Sequence, residues 1–111
     1  MTVQKVATLA EFNNLISSNP GKLIVVDFTA TWCGPCQFIK PIFHQLAEEN
    51  TGSIFVQVDV DENSETAEEV GVSAMPTFFF YKDGNVVEQF AGANADKLKA
   101  SVQKHAWKKR H

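Results

Sequence analysis

Between Leu23 and Phe28 the chain runs Leu-Ile-Val-Val-Asp-Phe, an almost unbroken apolar stretch of strand length with one charge inside it. A strand of that composition has no face to give to water, so it belongs in the interior of a sheet covered on both sides, as in proteins built from parallel crossovers. The fold must therefore supply one layer above that strand and another below it. With 111 residues, 44% of them hydrophobic and nine of them Phe, the chain can do this as one domain over residues 1–111, without metals or structural disulfides.

The flanking segments fit that demand. Thr8 and Glu11 have capping-box spacing, and Leu9, Phe12, Leu15 and Ile16 follow with helical period until Asn19-Pro20-Gly21. A second helical face, Ile39, Ile42, Phe43, Leu46 and Ala47, runs toward Asn50-Thr51-Gly52, with Pro41 expected to kink it. Ile54 to Val60 alternates as a strand, so strand, helix and strand should form a parallel crossover. Asn63 or Ser64 can cap a short acidic helix that reaches Val70 and stops at Gly71. Thr77 to Tyr81 and Val86 to Phe90 flank Lys82-Asp83-Gly84-Asn85, which contains a hairpin signal. Asn94 can cap a last helix carrying Leu98, Val102 and Ala106. The result is a mixed sheet with helices on its faces, α/β in class.

Charge and cysteine count narrow the function. A net charge of -3 argues against a nucleic-acid or membrane-surface binder, which would carry an excess of Lys and Arg. Met1 to Leu9 holds one Lys and no apolar run, so no secretory signal is expected and a cytoplasmic location is favoured. The two cysteines lie three positions apart, a spacing that suits chemistry better than a disulfide scaffold. Half of a zinc site is the alternative. The remaining ligand candidates of that kind, His44, His105 and His111, are not paired at a zinc spacing, so no metal is expected.

Trp32-Cys33-Gly34-Pro35-Cys36 comes directly after the buried strand, where the second helix begins. The ends of parallel strands are where α/β sheets present reactive groups, and a helix N-terminus brings free N–H groups and partial positive charge to Cys33. Both favour a thiolate there, the species that attacks disulfides. Cys36, one turn along the same face, can close a disulfide with Cys33 and so resolve a mixed disulfide. The Gly34-Pro35 insert adds no charge that would stabilise the reduced form, which points to a reductant. Asp27, six residues before Cys33, should be buried with a raised pKa and can exchange a proton with Cys36. Pro76, at the mouth of the Thr77 strand, is either an edge feature or a cis turn.

Taken together, Ala30-Thr31-Trp32-Cys33-Gly34-Pro35-Cys36, Asp27, Pro41 and Met75-Pro76-Thr77 resemble the thioredoxin family over essentially the whole chain. The resemblance implies a five-stranded mixed sheet flanked by four helices, a first strand near Val3 to Val6, and a cis Met75–Pro76 bond packed on the active-site disulfide. It implies that Trp32, Gly34, Pro35, Met75, Pro76, Gly92 and Ala93 hold an extended substrate segment, with Met75 backbone groups pairing to it. Cys33 would be nucleophile, Cys36 resolving thiol and Asp27 the buried acid. The implied partners are a thioredoxin reductase and disulfide-bearing proteins such as ribonucleotide reductase, peroxiredoxin and methionine sulfoxide reductase. No cofactor need bind, and a monomer is expected.

Two positions depart from the common family pattern. Gln57 and Gln37 stand where Lys is frequent, which should leave Asp27 more strongly neutral and weaken any positive rim. The basic tail Trp107-Lys108-Lys109-Arg110-His111 is read as a helix end whose cations suit the dipole. A redox-switched interaction module is the alternative function. It separates from a reductase on Cys33→Ser, which should keep partner binding only if that function stands alone.

Overall fold

Four helices start at four side chains that each take up an orphan amide. Thr8 accepts from the Glu11 N–H at 3.1 Å, Asn63 from Thr66 at 3.3 Å and Asn94 from Lys97 at 3.0 Å, as helix N-caps require. In the remaining helix the cap is the sulfur of Cys33. The computed structural model describes residues 2–106, in the order β1 (Val3–Lys5), α1 (Leu9–Ser17), β2 (Leu23–Thr29), α2 (Gly34–Glu49), β3 (Ile54–Asp59), α3 (Ser64–Val70), β4 (Thr77–Lys82), β5 (Asn85–Ala91) and α4 (Ala95–His105).

The strands form one sheet in the order β1-β3-β2-β4-β5. β3 pairs in parallel with β1 and β2, whereas β4 runs antiparallel to β2 and β5. Every residue of β2 is buried, as its composition demands. Alternation along β2 divides the core. Leu23 and Val25 pack with Ile39 and Phe43 of α2 and Leu98 and Val102 of α4 on one face. Ile24, Val26 and Phe28 pack with Phe12 of α1 on the other, where Val70 of α3 also lies. Asp27 falls in the Leu23–Val25 series, so its carboxyl faces the α2 layer.

Turn chemistry sets the register at the far end of the sheet. Asp83 and Gly84 both adopt positive φ, 51° and 81°, between the paired Lys82 and Asn85, the tight two-residue turn that the Asp-Gly signal predicts. β1 is short, with only Val3 buried and one strand beside it, which is why periodicity marks it weakly. The last helix stops one residue earlier than its apolar spacing suggests: Ala106 is its C-cap. Its end is held by Glu88 of β5, which accepts from the Ser101 hydroxyl at 2.7 Å and pairs with His105 Nε2 at 2.7 Å. The tail from Trp107 to His111 lies outside the described residues.

Two Phe residues of α2 separate packing from exposure. The Phe43 ring meets Phe55 and Phe78, at centroid distances of 5.4 and 6.0 Å, while Phe38 is 62% exposed. In urea unfolding, Phe43→Ala should cost about 3–5 kcal/mol. Phe38→Ala should change stability by less than about 0.5 kcal/mol.

Candidate active site

β2 ends at Thr29, and the chain turns through Ala30, whose carbonyl accepts from the Cys33 N–H at 3.3 Å. Cys33 keeps an extended backbone, with φ -91° and ψ 111°, and α2 begins at Gly34-Pro35. Proline is tolerated there because the first turn has no use for its missing N–H. The Cys36 N–H donates to Cys33 Sγ at 3.2 Å. The two cysteines form a disulfide, with Cα atoms 5.2 Å apart, inside the ordinary range for such a bridge. The sulfurs are not equivalent: Cys33 is 6% exposed and Cys36 only 1%. An incoming sulfur therefore reaches Cys33 first.

Segments from both halves of the sheet surround that sulfur. The Met75–Pro76 bond is cis, and Cys33 Sγ lies 3.7 Å from the Met75 carbonyl oxygen. Pro76 is buried and Met75 half-buried. Gly92, at φ 107°, donates its N–H to the Pro76 carbonyl at 2.8 Å, which ties the β5–α4 loop to the segment beside the disulfide. Ala93 is half-buried, while Gly34, Pro35 and Gly92 are exposed. Trp32 is 67% exposed, and its indole Nε1–H donates to Asp61 Oδ2 at 2.8 Å. Gln37, exposed at the rim, uses its amide to donate to the Ala30 carbonyl at 3.2 Å.

Asp27 is fully buried. Its Oδ2 accepts from Gln57 Nε2 at 3.4 Å, and its Oδ1 has no partner among the described residues. Burial pushes its pKa up to about 7 from an ordinary 3.8, against smaller lowering by the Gln57 hydrogen bond and the Lys40 charge. Gln57 and Lys40 also line a cavity of about 220 Å³ that opens beside β1 and β3. Asp27 itself does not line that cavity; its two polar neighbours do.

Sequence analysis missed Asp61 and Lys40. Asp59 Oδ1 accepts from the N–H groups of Asp61 and Glu62, at 2.8 and 3.2 Å, so a turn was legible there, but not its indole partner. Lys40 was within reach, because it lies one turn after Cys36 on the side that faces Asp27. Of the zinc candidates, His105 is engaged by Glu88, His44 lies half-buried on α2, and His111 is outside the described residues.

A disulfide whose outer sulfur caps a helix, set just past the end of the buried strand that carries a buried acid, defines a thiol–disulfide oxidoreductase. The chain belongs to the thioredoxin family: the family model "Thioredoxin" matches residues 3–104. It is 46% identical to thioredoxin of Equus caballus over 101 residues, covering 91% of this chain and 96% of that one. Against thioredoxin of Homo sapiens it is 46% identical over 100 residues, 90% of this chain and 95% of the other. The X-ray structure of Fasciola hepatica thioredoxin superimposes with a TM-score of 0.90 at 49% identity, covering 92% of this chain and 98% of that chain. The five-stranded sheet with four helices is the thioredoxin fold, and the redox-active pair gives the protein its protein-disulfide reductase activity.

The raised pKa of Asp27 makes stability depend on pH. The folded protein keeps this proton up to about pH 7, whereas the unfolded chain loses it near 3.8. The contribution of Asp27 to stability is therefore greatest below the lower value and falls as pH rises through the window, by on the order of 4 kcal/mol. Asp27→Asn removes that loss. Urea titrations should show the variant gaining on the wild type between about pH 4 and pH 8, and a constant difference would mean that Asp27 ionises like an exposed carboxyl.

Proposed function

We propose that the protein is a two-electron carrier that reduces protein disulfides with Cys33 as nucleophile, Cys36 as resolving thiol and Asp27 as proton acceptor. The observation that supports this division of roles is the difference between the sulfurs: the outer one caps α2, and the inner one is buried. In the reduced protein the N-terminal amides and dipole of α2 stabilise a thiolate at Cys33. That thiolate attacks one sulfur of the substrate, forming a mixed disulfide and expelling the other substrate sulfur as a thiolate, which takes up a proton. Cys36 passes its proton to Asp27, directly or through water, and attacks Cys33 Sγ. This closes the Cys33–Cys36 disulfide and expels the second substrate sulfur as a thiolate, which takes up a proton as Asp27 gives its own back. The substrate gains two electrons from the dithiol and two protons: one that Cys33 released to solvent on becoming a thiolate, and one that Cys36 gave up through Asp27.

The substrate segment lies over Trp32, Gly34 and Pro35 and along Met75, whose backbone groups pair with it as an added strand. Pro76 supports Met75 from within, while Gly92 and Ala93 complete the apolar surface. An NADPH-dependent thioredoxin reductase restores the dithiol. Ribonucleotide reductase, peroxiredoxin and methionine sulfoxide reductase are the acceptors we propose by family likeness, for a monomer working in the cytoplasm. Gln37, which carries no charge, tunes which reductase is accepted.

NADPH consumption during insulin reduction, measured with a panel of thioredoxin reductases, tests the roles. Cys33→Ser should abolish turnover, whereas Cys36→Ser should stall as a mixed disulfide that mass spectrometry detects on Cys33. A silent wild type, with chemical reductant also failing to drive insulin reduction, would overturn the assignment. Gln37→Lys should shift the ranking of reductases by about threefold in kcat/KM, the scale of one exposed charge pair. An unchanged ranking would remove Gln37 from recognition.

A further inference from the structure

We propose that Phe38 and Asp96 extend the substrate surface past Gly92 and Ala93 into a subsite that takes an apolar side chain and a neighbouring basic one from the protein being reduced. This rests on the disulfide-reductase reading above and specifies its substrate.

Among the described residues, only Trp32 is a large hydrophobic side chain more exposed than Phe38, at 67% against 62%. The next in exposure, Val86 and Val87, belong to the irregular stretch of the β4–β5 pairing, toward the far turn. Phe38 instead lies on α2, within a turn of Cys36, and borders an open cleft of about 550 Å³ with Gly92, Ala93, Asn94, Ala95 and Asp96. A single exposed ring is ordinary on a protein surface, but this one stands beside a cleft that adjoins the proposed substrate surface at Gly92 and Ala93. Strand order places this cleft relative to the dithiol. Trp32 and Asp61 sit on the β3 side of β2, while the Gly92 loop follows β5, beyond β4 on the other side. The Gly92–Pro76 hydrogen bond makes the cleft continuous with the Met75 edge. A segment paired to Met75 with its cysteine at Cys33 meets Phe38 where it runs on past Gly92.

Charge states what the neighbouring residue should be. Among the described residues, Asp96 is the only charged group lining the cleft. The Asn94 side chain is occupied in capping α4, and Lys97 is turned onto the Phe90 ring, 5.0 Å from its centroid. An exposed carboxylate beside an apolar platform favours Lys or Arg next to an apolar residue and disfavours acid.

Two disulfide-linked peptides, identical except for Leu-Lys or Ser-Glu flanking one cysteine, test this in single turnovers with pre-reduced protein. The wild type should prefer the Leu-Lys peptide by about tenfold or more in kcat/KM. Phe38→Ala should bring that ratio down to about threefold, acting through KM, and Asp96→Asn should reduce the wild-type ratio about threefold. A ratio unchanged by Phe38→Ala would overturn the subsite, as would equal slowing with both peptides. So would a Phe38→Ala effect that is absent from these single turnovers and seen only in the KM for a thioredoxin reductase in steady-state NADPH turnover, since the cleft would then serve that partner. If the wild type reduces neither peptide nor insulin, the reductase reading itself falls.

Discussion

The hydrogen bond from the Cys36 amide to the Cys33 sulfur links the fold to its chemistry. Helices α1, α3 and α4 satisfy the corresponding amide with an oxygen, from Thr8, Asn63 or Asn94. In α2 a sulfur takes that place. The cap is the weaker for it, but the first turn then stabilises negative charge on the atom that has to carry it. α2 can tolerate this because its stability comes from burial rather than capping: Ile39, Phe43, Leu46 and Ala47 anchor it to the sheet. The reactive end of the helix is thus held from a distance.

Asp27 shows the opposite balance. It lies in a strand with no exposed residue, one carboxyl oxygen lacks a partner, and Gln57 offers only a long hydrogen bond to the other. A protonated acid is the state this environment accepts, because an ionised one would be poorly compensated. The Gln57 hydrogen bond and the Lys40 charge moderate that preference. The consequence is a group near the midpoint of its titration at neutral pH, able to take a proton and give it back.

Much of this was legible before any coordinates. β2, the caps at Thr8, Asn63 and Asn94, the Asp83-Gly84 turn and the cysteine pair all follow from local pattern, since each is set by residues within a few positions of one another. What sequence alone left open depends on contacts across the sheet. Asp61 meets Trp32 across 29 positions, and Glu88 gathers Ser101 and His105 from another element. β1 acquires its identity only by pairing with β3. The cis Met75–Pro76 bond came from family resemblance, because the residues themselves allowed two readings. Phe38 shows a different limit. It was not singled out in the helical pattern, because its exposure beside the Gly92 loop is set by the fold and not by neighbouring residues.

The far turn has a consequence for how the molecule can be altered. β4 begins at the disulfide with Thr77 and ends at Lys82, and β5 returns from Asn85 to the Gly92 loop, so Asp83 and Gly84 lie about 20 Å from the sulfurs at the usual rise per residue. Both are exposed, although the Gly21 N–H donates to Asp83 Oδ1 at 2.7 Å. A peptide tag, a fluorophore or a pair of new chain ends placed at Gly84 would sit at the opposite pole of the sheet from the thiols. That turn is the natural attachment point for tethering the protein to a surface with its reactive end facing solution.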